Sequence, residues 1–199
     1  MTPDSLAVER QRFVLTTVAD AIHTTASPRR APSVAFEQTS TTGVRGNYDG
    51  RHNRVRIRVP GFLDDPTVAD DTIRAAVLHE IGHWADRWDR PSAYGIATGG
   101  LMSIVGPIVC AVGIALVFGA DRVALGGQTV LAGLAIGLLG AVIIAACSWP
   151  AEYRADAFAA DRVGAPAVRT MVATRRTRDS FTHPGLARRT ARLTRTPAT

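Results

Sequence analysis

Lysine is absent from the 199 residues, so arginine alone carries the formal charge of +6, most densely after Arg169. With no recognisable nucleic-acid module in the chain, that charge reads as a solvated arginine-biased tail, then as a surface for anionic lipid; nucleic acid is not an expected partner. Cysteine is nearly absent too, since Cys110 and Cys147 are the only two and both fall in apolar runs. A disulfide framework is not expected and a cysteine-based metal site is excluded, which leaves both thiols as packing residues. Charge itself is missing from the middle of the chain, where Asp121 and Arg122 are the only charged residues between Arg90 and Glu152. Residues 1–26 lack the uninterrupted apolar stretch of a signal peptide; Leu6, Phe13, Val14, Val18 and Ile22 instead predict an amphipathic helix.

What fills the charge-free middle is apolar. Pro91–Ala120 and Val123–Ala151 each exceed the length of about 20 residues that a bilayer-spanning helix needs, and Gly126-Gly127 lies near the turn between them. The expectation is a transmembrane hairpin. Its Gly133-x-x-x-Gly137 suits close helix packing, within the hairpin or between chains. Arg87 and Arg90 precede the hairpin and Arg154 and Arg162 follow it, against Arg122 alone in the turn, which predicts that both termini are cytoplasmic. Trp84, Trp88 and Trp149, with Tyr94 and Tyr153, gather at that same side as an expected interfacial belt. An integral protein of a bacterial plasma membrane, in contact with the lipid bilayer, is the resulting expectation.

Just ahead of the first run stands His79-Glu80-Ile81-Gly82-His83. On a helix, positions i and i+4 share a face, so both imidazoles can reach one Zn²⁺ with Glu80 beside them as a base. Asp65-Pro66-Thr67 offers helix-start chemistry, Thr67 to Asp70 fits a capping pattern, and Asp70 and Asp71 suit the positive end of the helix dipole. Ile73, Val77, Ile81, Trp84 and Trp88 recur at helical spacing as a buried stripe, with His79 and His83 beside it.

Directly after the second run, Glu152 and Asp156 share a face of a predicted helix. Alone, this spacing usually marks a solvated surface. A hairpin that leaves and re-enters on one side, however, returns the chain to its point of departure and can set Glu152 beside His79 and His83.

With H-E-x-x-H, the hairpin, Glu152-Tyr153-x-Ala155-Asp156-Ala157-Phe158-Ala159 and Thr182-His183-Pro184 in order, the chain from about Arg45 to Leu193 resembles the HtpX-like and CAAX prenyl protease group of membrane zinc peptidases, within the gluzincins. The resemblance implies Glu152 as third zinc ligand and Asp156 as its supporting carboxylate. It also implies that His183 and Arg189 face the scissile carbonyl and stabilise the oxyanion; taken by itself, His183 before a proline is a turn residue.

Alternation of Val55, Ile57 and Val59 with Arg54, Arg56 and Arg58 predicts a half-buried strand ended by Pro60-Gly61, paired antiparallel with Ser33 to Thr39. In the resembled family an edge strand here pairs with the substrate backbone, which makes Val55 and Ile57 candidate substrate contacts; a plain edge strand fits the pattern equally. Asn47 is a candidate substrate neighbour or a turn residue. The expected fold is α+β: a mainly helical zincin-like metallopeptidase domain with a small antiparallel sheet, interrupted by a two-helix transmembrane hairpin. Residues 1–90 and 152–199 would form one catalytic domain around the hairpin at 91–151. The function expected is a membrane-embedded zinc endopeptidase that cleaves membrane-associated proteins or peptides at the cytoplasmic surface; the alternative is a non-catalytic membrane adaptor with a structural zinc site and a basic tail.

Overall fold

The computed structural model describes residues 3–27, 30–38, 46–86, 89–119, 122–174 and 183–194, by backbone alone at 3 and 89–91. Its helices are α1 (Pro3–Thr24), α2 (Asp70–Ala85), α3 (Asp89–Gly119), α4 (Val123–Val163), α5 (Ala165–Ala173) and α6 (Leu186–Leu193). Its strands are β1 (Ser33–Glu37), β2 (Gly46–Asp49) and β3 (Arg54–Arg58). The chain divides into two compact units, one of residues 1–87, 151–178 and 185–199, the other of 88–150 with 179–184.

The first unit holds a core built where the apolar stripes meet. Val14, Val18 and Ala21 of α1, Val55 and Ile57 of β3, Ile73, Val77, Ile81 and Trp84 of α2, and Val168 and Met171 of α5 are all buried. Trp84 is therefore a core residue rather than part of an interfacial belt; its position in the α2 stripe decides this, and its indole N–H donates to the Arg30 carbonyl at 3.0 Å. Trp88, the last residue of the expected stripe, lies outside the described residues.

The sheet is mixed, not antiparallel, in the order β1-β3-β2. Between the two expected strands the chain inserts β2, which forms a hairpin with β3 and so leaves β3 parallel to β1, with Val34 opposite Val55 and Phe36 opposite Ile57. Asn47, a candidate substrate neighbour or turn residue, is not in a turn but on β2, opposite Arg56. The real turn is at Asn53, which takes φ +48° and stays there because its amide donates to the carbonyls of Arg30 and Ala31 while its oxygen accepts from the Tyr48 hydroxyl. β3 is thus the central strand, and the edges belong to β1 and β2. Val55 and Ile57 point fully into the core.

α2 begins at Asp70 with Ala69 at the cap position and no side-chain cap. The expected cap at Thr67 fails because its hydroxyl donates to Asp65 Oδ1 at 2.6 Å, closing a local turn instead. The entry to α2 is fastened from outside. Arg10 of α1, 7% exposed, donates to the carbonyls of Asp65 at 2.7 Å and Val68 at 2.6 Å, and pairs with Asp70 at 3.0 Å. A cation with that many acceptors is satisfied despite burial, so α1 fixes where α2 starts.

In the second unit α3 and the first part of α4 are long and apolar enough to cross a membrane, and most of their side chains are exposed, Leu101, Ile104, Phe118, Leu131 and Leu138 among them. Small residues let the two helices touch. A Cβ on Gly106 would lie within 2.8 Å of Gly133 and Gly137 backbone, so the Gly133-x-x-x-Gly137 motif is used inside the hairpin. Both cysteines are free, and Cys110 Sγ lies 3.5 Å from the Val130 carbonyl oxygen.

Candidate metal centre

Gly82 governs the approach of α2 to α4. A Cβ there would stand 2.8 Å from Ala155 Cα, so only the missing side chain allows the two helix backbones to meet. Ala155 lies between Glu152 and Asp156, and the contact therefore delivers both carboxylates to the imidazoles of α2. Glu152 Oε2 lies 3.5 Å from His79 Nε2, and Oε1 lies 3.5 Å from His83 Nε2. Asp156 Oδ1 is 3.0 Å from His79 Nδ1, which turns the other ring nitrogen toward Glu152. Directly after α2, Asp86 is gripped by Arg154 through two nitrogens at 2.9 and 2.8 Å, which ties the end of α2 to α4.

The donor set fits a metal. Ligand atoms of His79, His83 and Glu152 all lie within 4.8 Å of one another. Donors about 2.0 to 2.1 Å from a tetrahedral ion are roughly 3.3 Å apart, close to the 3.5 Å that separates Glu152 from each imidazole. The cluster can hold a metal ion through two neutral imidazoles and a carboxylate.

Around this cluster lie two further layers of control. Arg189 of α6 is 1% exposed and directs every nitrogen group of its fork at a carboxylate: Nε to Asp156 Oδ2 at 2.7 Å, Nη2 to Oδ1 at 2.5 Å, and Nη1 to Glu152 Oε2 at 3.3 Å. Burial alone would lower its pKa, but its bonds to Asp156 and the charge of Glu152 outweigh burial and raise it. Glu80, 3% exposed, is held by β2, whose Tyr48 N–H donates to Oε2 at 2.9 Å. His79, Glu80, His83, Glu152, Asp156 and Arg189 are thus brought into one neighbourhood. Asn47 is exposed on β2, while His183 is exposed and belongs to the second unit. Thr182 lies outside the described residues.

A family model for peptidase family M48 matches residues 51–196. The chain belongs to peptidase family M48. No curated protein and no solved structure matches it. M48, the family of HtpX and the CAAX protease-like zinc metallopeptidases, is the group that the ordered motifs resemble. Membership supports a metallopeptidase with protein or peptide substrates. In this M48 chain α1, β1 and β2 precede the matched stretch, yet Arg10 and Tyr48 act on α2. Sequence reading missed both residues, and Gly82 as well. For Gly82 a signal existed, since a glycine inside a helix often marks a close neighbour.

The electrostatics carry a pH consequence for the metal-free protein. Burial would lower the His79 pKa, but bonds to Asp156 and Glu152 outweigh it and raise it from 6.5 to about 9. A metal must then displace a proton at pH 7. Uptake should release close to one proton per ion and weaken as pH falls below about 9. The folded state binds this proton more tightly than the unfolded chain does. The stability it adds is therefore complete below pH 6.5 and is lost as pH rises through about 9. Calorimetry of metal uptake in buffers of different ionisation enthalpy measures the proton, and denaturation in chelator across that range measures the stability; pH-independence of both would contradict the His79 assignment.

Proposed function

We propose that the chain is a membrane-embedded zinc endopeptidase that cleaves membrane-associated proteins or peptides at the cytoplasmic surface. The observation that carries this reading is the placement of Glu80 next to a His79, His83 and Glu152 cluster with ligand spacing. Zinc, held by those three side chains, would supply Lewis acidity to the attacking water and the scissile carbonyl. Glu80 takes the proton from the attacking water and passes it to the leaving amine. Asp156 holds the His79 ring in its metal-binding orientation. His183 and Arg189 act on the oxyanion; because Arg189 is bonded to two carboxylates, its share is long-range charge.

The substrate would lie beside Asn47, which is exposed on β2; Val55 and Ile57, whose side chains are in the core, would support β2 from behind. Residues 1–90 and 152–199 make up the catalytic domain, and 91–151 form a bilayer-spanning hairpin with both termini cytoplasmic, supported by two helices of sufficient length and apolarity. A structural metal clip in an adaptor would have no use for a carboxylate held beside the first ligand, which favours the enzyme.

The test is metal content together with substrate discovery. Wild-type protein is expected to hold about one zinc per chain, and Glu152→Ala to lose zinc affinity by a factor of about 100 or more, since a ligand is removed outright. Unchanged zinc content in that variant would refute the ligand set. Membrane proteomes compared between wild type and a base-less variant should show uncleaved proteins accumulating in the latter.

A further inference from the structure

Glu80 is bounded on two sides by one short strand. Tyr48 N–H donates to Oε2 at 2.9 Å, and the Cα of Gly46 faces the same side chain so closely that a Cβ there would stand 3.2 Å from Glu80 Cγ and 3.4 Å from Oε1. The Tyr48 bond comes from the main chain of β2, and the Gly46 contact from its core face, where a Cβ would also stand 3.3 Å from Ile57 Cδ1. Residues 46 and 48 alternate with 47 and 49, so the main-chain groups that β2 does not spend on β3 recur at Gly46 and Tyr48. An N–H on an edge strand usually goes to water; here a buried carboxylate takes it, and a charge-assisted bond of this kind is about twice as strong as a neutral one.

We propose that β2 is the positioning element of the general base: Tyr48 N–H fixes one carboxylate oxygen of Glu80, and the missing side chain of Gly46 leaves room beside the other. This rests on the reading of Glu80 as base. It adds two residues, Gly46 and Tyr48, that lie ahead of the family-matched stretch and that act through Glu80, not on the substrate. A side chain at 46 has two ways to relieve the crowding. It can push β2 outward, which breaks the Tyr48 bond, or push the carboxylate off its line, and either misdirects the base without touching His79, His83 or Glu152. General-base efficiency depends on hydrogen-bond reach to the attacking water, so a displacement of a few tenths of an ångström is felt in turnover.

Two measurements test this. In the full chain, amide hydrogen exchange at Tyr48 should be slow, and Glu80→Ala should speed it by tenfold or more, with or without zinc; exchange indifferent to Glu80→Ala would overturn the clamp whatever the enzyme does. Gly46→Ala should retain one zinc and change KM less than about threefold while kcat falls at least tenfold, the signature of a contact made in turnover rather than in binding. Wild-type kcat in Gly46→Ala would overturn the positioning role. A wild-type protein that binds zinc and cleaves no peptide or membrane protein would overturn the enzymatic reading instead, and the exchange result would still decide the clamp.

Discussion

Glu80→Gln should cut peptide cleavage by about 10²- to 10⁴-fold and leave the zinc content unchanged. The substitution is chosen for what it keeps. Gln has the length of Glu and a side-chain oxygen that can still accept the Tyr48 N–H, so the clamp from β2 survives and the residue stays in its buried place. What disappears is the ability to take a proton at neutral pH. Because Glu80 is not in the cluster of ligand atoms, the metal should remain. Peptide turnover measured alongside metal analysis separates the two effects. Cleavage at the wild-type rate in the Gln variant would sink the mechanism, and loss of zinc would mean that the carboxylate has a ligand role.

The second large effect is expected at a residue with no side chain. Gly82→Ala puts a methyl group 2.8 Å from Ala155 Cα and 3.2 Å from its carbonyl oxygen. Backbone cannot rotate out of the way as a side chain can, so α2 and α4 must separate. Overpacking of this kind costs about 1–3 kcal/mol. The loss should fall hardest on the metal, because His79 and His83 are on one helix and Glu152 on the other, and ligand distances tolerate only about 0.2 Å. Zinc affinity is expected to fall by at least tenfold, with a lowered denaturation midpoint. An unaltered zinc affinity would show that the helix contact does not set the site.

These two residues mark how far the sequence could be read. His79, Glu80 and His83 are legible because helical periodicity is local: five residues specify a face, and the stripe of Ile73, Val77, Ile81 and Trp84 orients it. Glu152 and Asp156 needed the hairpin to be joined to them. The sheet was less legible. β2 is four residues long with glycine and asparagine at its start, and with no alternating pattern of its own it hid the hairpin that makes β3 central. Arg10 and Arg189 were illegible in their partners. Arg10 meets Val68 across 58 positions and Arg189 meets Asp156 across 33, and such pairings follow from packing that no local pattern encodes.

The fork of Arg189 has one more consequence. Asp156 answers to two masters, the ring of His79 on one side and the guanidinium of α6 on the other. Two binding events that share a carboxylate are thermodynamically linked, and the linkage is reciprocal. Whatever free energy α6 contributes to ordering the candidate metal ligands, a bound metal returns to the docking of α6, so that helix is in effect a second ligand of the site.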